Sequence, residues 1–352
     1  MSHPAITIFA ISLASLAGCS KPKPPVPVIS LGIRPDTVLT KFFDATEAAS
    51  TGGDRWTVVS VEDKQVAVAD FGTRKLIPVG TATTFRQPFH IFRSGDSVFV
   101  TDWWLRQTTV WSLAPAAAGT IPAAVQVRGT LPRARDAAGQ WYLELTPPSR
   151  RDGSGARDSA AIVRANPDFS KADTVAQLAP LDLAEVNEDA GRRFERRLLS
   201  GIDHWGVLPD GTVWIARVNQ NRVDWYARDG KVVHGEPLPD RVLPVTEADR
   251  QIFLHRFPQE LRASAEQLPF AAVKPPFEDA VTGADGEVWL EKSRSVGDSV
   301  RIYQVVDRAG ALIQEIHFPG FGRILAVSAG GVLVTEPFDT GTRLLRFRMP
   351  AR

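Results

Sequence analysis

The side chains best suited to chemistry in this chain are a scattered set of arginines and a smaller group of acids. Arg55, Arg86, His90, Arg133, Arg135 and Arg323 carry the basic side, and Asp203, His204, Glu278 and Asp279 make up the second group. Arginine's planar fork donates to carboxylate or phosphate in pairs, so converging arginines would capture a small anionic or zwitterionic ligand, or an acidic segment of a protein partner. Converging carboxylates would instead offer hard oxygen ligands suited to calcium. Ser200, Asp203 and His204 are close in sequence, but a nucleophilic triad is assembled by the fold and not by adjacency. His204 beside Trp205 reads as a packed aromatic pair. Glycine-rich phosphate loops, His-x-x-x-His zinc spacings and a nucleophile elbow are all absent from the sequence, so no catalytic residue is assigned.

Whether these residues meet depends on the elements that carry them. The stretch from His204 to Val233 shows the underlying unit, with Asp210-Gly211 and Asp229-Gly230 as tight-turn dipeptides between runs rich in Val, Ile, Trp and Tyr. Those runs are mostly apolar and do not strictly alternate, which predicts a small sheet covered on both faces. Its second strand, 213–217, has counterparts at 66–70, 98–102, 141–145, 288–292 and 332–336. First strands precede these at 56–61, 89–93, 133–137, 205–208, 280–283 and 324–328, and third strands follow at 75–79, 108–113, 161–165, 222–227, 300–306 and 342–349. Fourth strands are expected at 81–85, 125–131, 174–178, 232–238 and 312–318.

Six such units predict an all-β fold, a six-bladed β-propeller, in which stacked blades cover one another's faces and radial closure removes long edges. The last unit lacks a fourth strand, and Asp36 to Phe43 is a spare one, so the ring is expected to close through an N-terminal strand. Val68-Ala-Asp70-Phe-Gly-Thr-Arg74 and Val100-Thr-Asp102-Trp-Trp-Leu-Arg106 resemble the repeats of bacterial six-bladed propellers of the NHL-like and TolB-like type. That resemblance implies a structural role for the Asp and Arg, tying the turn that follows the strand. Elsewhere Leu145, Arg217, Lys292 and Glu336 replace the Asp.

Two connections are longer than the rest. Within 182–200, Leu183, Val186, Ala190, Phe194 and Leu198 recur at helical spacing and predict an amphipathic helix. Within 246–268, Thr246-Glu-Ala-Asp249 resembles a capping box, and Pro258 divides the segment into two short helices at about 247–256 and 259–268. With a third insertion at 147–158, all fall on one face of a propeller, where binding residues are expected to gather. The ten candidates lie near the starts of the predicted inner strands. Arg323, Arg55, Arg86, His90, Arg133 and Arg135 come from neighbouring blades six, one, two and three, which predicts an arginine arc facing a shorter acidic arc around the axis.

Composition narrows the partners. The chain has 352 residues with 43% hydrophobic content, enough for a large core, and a formal net charge of +1, which argues against nucleic acid as a partner. Its single cysteine, Cys19, excludes an intramolecular disulfide and a cysteine-based metal cluster. Cys19 ends an apolar run from Ile6 to Ala17, too short to span a bilayer, and Leu16-Ala17-Gly18-Cys19 resembles a bacterial lipobox. The resemblance implies removal of a signal peptide, residues 1–18, and lipidation of Cys19, although no Lys or Arg precedes the apolar run. A proline-rich tether at 19–35 and the propeller at 36–352 follow. Ser20 after the cysteine, in place of Asp, favours the outer membrane over the inner one within the cell envelope. The expected function is a membrane-anchored ligand-binding or protein-interaction propeller without a cofactor. The alternative is a metal-dependent hydrolase or lactonase with calcium on the axis; Asp203, Glu278 and Asp279 are its acids, but no Asn accompanies them on other blades.

Overall fold

Short apolar runs punctuated by Asp, Asn and Gly turns leave the backbone little choice but hairpins, and the computed structural model consists of them almost throughout. It describes residues 25–349 apart from 33, 36, 81, 113–117, 156, 158, 159, 189, 190, 321, 339 and 340. Cys19 and the expected signal segment lie outside the described residues, among which no helix is long and apolar enough to cross a membrane.

The chain begins with β1 (Val28–Ser30) and β2 (Thr37–Phe42). Blade one is β3 (Glu47–Gly52), β4 (Arg55–Ser60), β5 (Gln65–Asp70) and β6 (Lys75–Gly80). Blade two is β7 (Pro88–Ser94), β8 (Ser97–Asp102), β9 (Gln107–Ser112) and β10 (Ala118–Pro122). Blade three is β11 (Ala134–Arg135), β12 (Trp141–Leu145), β13 (Ala161–Ala165) and β14 (Ala172–Gln177), and a separate hairpin, β15 (Leu183–Glu188) with β16 (Gly191–Arg196), follows it. Blade four is β17 (His204–Val207), β18 (Val213–Arg217), β19 (Arg222–Tyr226) and β20 (Val232–His234), followed by α1 (Glu247–Leu254) and α2 (Gln259–Glu266). Blade five is β21 (Phe277–Thr282), β22 (Val288–Lys292), β23 (Val300–Val306) and β24 (Leu312–Pro319). Blade six is β25 (Arg323–Ser328), β26 (Gly331–Phe338) and β27 (Gly341–Phe347), completed by β2.

The inner strands β3, β7, β11, β17, β21 and β25 touch in that order and β25 returns to β3, which closes a six-bladed propeller. Six buried clusters correspond to its six blade junctions. Trp214, Trp225 and Phe277 fill the one between blades four and five, for example, and Tyr142, Trp205 and Ile215 the one between three and four. The β2 strand pairs antiparallel with β27, with Val38 opposite Leu345, as the spare N-terminal strand predicts. At the Asp210-Gly211 turn, Gly211 holds a positive φ of 83° that favours glycine, and its carbonyl accepts the Tyr142 hydroxyl of blade three at 3.2 Å.

Several expected elements differ. In blade one the inner strand is β3, so 56–61, 66–70 and 75–79 are the second, third and fourth strands, and 82–85 form a turn whose Phe85 packs into the core. The sequence misleads here because β3 reads Glu-Ala-Ala-Ser-Thr-Gly, small residues without an apolar signature. The two matching turns also differ in position. Arg74 and Arg106 both close their turns at positive φ, 57° and 54°, but the first turn joins strands three and four and the second joins strands two and three. Blade two's fourth strand is β10, and 125–127 is a 3-10 turn. Within the expected tether, Val28–Ser30 pairs parallel with β24, and Leu31 is buried in the junction between blades five and six. Parallel pairing with β24 brings the chain in from the face opposite the insertions.

The 182–200 insertion is a β-hairpin and not a helix, with Leu183 paired to Arg196 and Val186 to Arg193. Alternation in Arg193-Phe194-Glu195-Arg196 suits a ribbon packed on one side, and tertiary contacts override the helical spacing. The helices of the other insertion form as expected. Thr246 and Asp249 cap α1 reciprocally, and α2 starts after Pro258.

Candidate functional site

Inner strands start on the face that carries all three insertions, and their first side chains meet around the axis. The His90 Nδ1 lies 2.7 Å from a Glu47 carboxylate oxygen, and the Ile91 backbone N–H donates to the other oxygen at 3.0 Å. Arg323 donates to Asp279 at 3.0 Å and to the Thr46 carbonyl at 3.1 Å, and the His204 ring sits 3.6 Å from Asp279. These contacts run from blade to blade, two to one, one to six, six to five and five to four. Charges therefore alternate around the mouth instead of forming two opposed arcs. Burial, followed by the Arg133 and Arg157 charges, lowers the proton affinity of His204 below its ordinary value, against the opposing pull of Asp279 and Asp203.

Away from the axis, blades three and four frame a cavity of ≈ 230 Å³ lined by Arg133, Glu144, Arg157, Arg196, Asp203 and His204 among others. The β12 strand presents Glu144, which accepts from Arg133 at 3.1 Å and from the Trp205 indole at 2.9 Å, with the buried Arg157 guanidinium 3.0 Å away. Arg133 also stacks over the Trp205 ring, 4.9 Å from its centroid. Arg196, at the end of β16, is held by Ser200 through a 2.6 Å bond to its carbonyl. Burial, with Arg157 as the next cause, lowers the proton affinity of Arg196. Asp203 is taken by Arg217 at 2.9 Å and by the Ala179 and Val218 backbone N–H groups. Three guanidinium groups therefore face one available carboxylate, Glu144, leaving local positive charge.

The insertions build this wall together. Phe194 N–H donates to the Asp152 carbonyl at 2.6 Å, Leu198 pairs with Phe270, and Arg157 reaches the Asp203 carbonyl at 3.4 Å. A second cavity of ≈ 260 Å³ adjoins it, shares Arg133 and Glu144, and adds Phe89, His90 and Trp103. Nearby Trp103 and Trp104 are 56% and 71% exposed, an unusual degree for indoles.

Of the ten candidates, the structure gathers His90, Arg133, Asp203, His204, Asp279 and Arg323 at or beside the mouth. The others separate from them. Arg55 starts a second strand and pairs with Asp70 at 2.8 Å on the opposite face, because blade one is shifted by a strand. Arg135 points to the far turn, bonding the Gly139 carbonyl and stacking 4.5 Å from Trp141. Arg86 lines a different cavity with Trp104 and Lys64. Glu278 lines a cavity beneath α1. The continuous arginine arc is thus not formed. Sequence reading passed over Glu47, Glu144, Arg157 and Arg196; Gly52-Gly53 before Trp56 was the available signal for a hairpin that starts with Glu47.

Calcium, which the hydrolase alternative requires, takes about six to eight oxygen ligands. Here the carboxylates at the mouth each face a cation or an N–H donor, Glu47 with His90, Asp279 with Arg323 and Asp203 with Arg217. Among the described residues no three His, Cys, Asp or Glu side chains converge as a metal site, and the axial donor set does not fit a calcium cage.

No family model matches the chain, and no curated protein does. Solved structures resemble it in fold. A calcium-binding protein, regucalcin, from Agrobacterium tumefaciens shares 10% identity over 92% of this chain and 97% of its own, with a TM-score of 0.45. A gluconolactonase from Xanthomonas campestris shares 13% over 88% and 89%, with a TM-score of 0.47. A protein of unknown function from Bacteroides thetaiotaomicron shares 12% over 88% and 70%, with a TM-score of 0.46.

Proposed function

We propose that the protein is a lipid-anchored propeller of the bacterial envelope that binds a small anionic ligand between blades three and four. The observation that carries this reading is the cavity where Arg133, Arg157 and Arg196 meet a single available carboxylate. Guanidinium groups held apart by packing and short of counter-charge gain a partner when a carboxylate or phosphate enters. Glu144 occupies part of that role within the chain, so the ligand competes with it for Arg133 and Arg157. The lipobox-like Leu16 to Cys19 supports the anchor, and Ser20 supports the outer membrane. The entry of β1 from the face opposite the insertions supports an arrangement in which the cavity faces away from the lipid.

Inorganic phosphate and succinate, each compared with chloride at equal ionic strength, test the reading. Calorimetry should detect saturable binding of at least one of them, weakened about tenfold or more in Arg196→Ala, in line with the loss of a charged hydrogen bond. Binding that follows ionic strength alone, or that Arg196→Ala leaves unchanged, overturns it.

A further inference from the structure

A cavity of ≈ 550 Å³ lies off the axis, between α1, the 199–200 segment, the start of β21 and the 294–299 loop. Its volume falls in the range of small-molecule sites, about 300–1,000 Å³. Leu199, Ile252, Phe253, Pro275 and Val296 make its apolar wall, and Ile252 and Val296 remain 51% and 44% exposed. The walls are fixed before any ligand arrives. Lys274 bridges Asp249 of α1 at 2.5 Å and the Arg294 carbonyl at 2.6 Å, and the reciprocal cap of Thr246 and Asp249 holds the helix start.

Most of the cavity's charged groups are already paired. Lys274 has Asp249, Arg294 donates to the Asp298 carbonyl at 3.1 Å, and the Asp298 carboxylate accepts the Ser295 N–H at 2.8 Å. Arg256 lies over the Phe253 ring, 5.8 Å from its centroid. Among the cavity's carboxylates Glu278 is the exception, exposed and making no hydrogen bond or ion pair to a described residue. It reaches the cavity through a bulge: the register of β21 against β22 shifts between Phe277 and Asp279, so Asp279 turns to the axis and Glu278 turns outward beneath α1.

We propose that this cavity binds a small organic amine with an apolar body, its ammonium on the Glu278 carboxylate and its body against Ile252, Phe253 and Val296. A carboxylate left without a donor beside an open apolar wall is complemented by that combination of charge and surface. Enclosure by the cavity walls, and then the nearby buried Glu291, raise the proton affinity of Glu278, against the opposing pull of Arg301, Arg294 and Lys274. This site is separate from the anion cavity, and its ligand is of opposite charge.

The probes are 4-phenylbutylamine, 4-phenylbutyrate and 4-phenylbutanol, which share one apolar body and differ in charge, titrated into the full chain by calorimetry. The amine is expected to bind at least about tenfold more tightly than the acid or the alcohol. Glu278→Gln should bring the amine to the level of the alcohol, and Ile252→Ser should weaken all three. Glu278 is accessible and bonds to nothing described, so melting of the Gln variant should match wild type and keep the comparison valid. Equal or tighter binding of the acid, unchanged amine binding in Glu278→Gln, or no amine binding up to roughly 10 mM overturns the proposal. Phosphate titration of the same variants reads the other cavity separately and should be unaffected.

Discussion

Glu144 and His204 show how single side chains couple neighbouring blades. Glu144 on β12 gathers Arg133, Arg157 and Trp205, and removing it would leave two guanidinium groups facing each other in a half-buried site. His204 sits on the other side of the same cavity, within reach of Asp279, Asp203, Arg133 and Arg157. Its proton affinity is lower in the folded chain than in the unfolded one, so the unfolded state binds more protons near and below the ordinary histidine value of about 6.5. Stability from this group is present at neutral pH and is lost as pH falls through that window. The melting temperature of wild type should therefore decline between pH 7.5 and 5.5, and His204→Gln should flatten the decline; parallel curves for the two proteins would assign the pH response to other groups. Much of the mouth was legible from residue type and position alone, since His90, Asp279 and Arg323 start inner strands as expected. Glu47 was not, because it reaches His90 across the boundary between blades one and two, and such a contact leaves no mark in local sequence.

Elements were legible where turn chemistry and apolar runs agreed, and illegible where one spoke alone. The blades built on Asp-Gly and Gly-Gly turns stand where predicted, and so do the two helices begun by Thr246 and Pro258. Blade one failed because β3 has small side chains, and the insertion at 182–200 failed because an accidental three-and-four spacing outweighed its turn. Packing decides that hairpin. Gly153 holds a φ of 80°, and a Cβ there would come within 2.3 Å of the Phe194 carbonyl, beside the bond from Phe194 to Asp152. Gly153→Ala should then cost about 1–3 kcal/mol and lift the hairpin from the 147–158 loop. Gly191, at φ 122° with open space around it, is the control, since Ala there adds strain without a clash. Limited proteolysis should cut 183–196 faster in Gly153→Ala than in Gly191→Ala. Equal rates would mean that the glycine serves only its own turn and that the hairpin is held elsewhere.

At the scale of the whole ring, two N-terminal strands finish two blades in different ways. The β1 strand adds a parallel fifth strand to the outside of blade five, where Val28 is exposed and only Ile29 and Leu31 pack inward. The β2 strand is the missing outer strand of blade six, and its Leu39 and Phe42 belong to the cluster that joins blade six to blade one. Ring closure thus rests on β2, because its pairing with β27 binds the first blade to the last, whereas β1 covers an edge of a blade already complete. Deleting 37–42 should uncover the backbone donors and acceptors of β27 and open a core junction together, producing a lower melting temperature and concentration-dependent association. Deleting 25–31 should leave a monomer whose melting remains a single transition at a slightly lower temperature. Size-exclusion chromatography with thermal melting of both deletions separates the two roles. Association in the second deletion and not in the first would place the vulnerable edge on blade five, and the ring would then be closed by the contacts of inner strands β25 and β3 without need of the outer one.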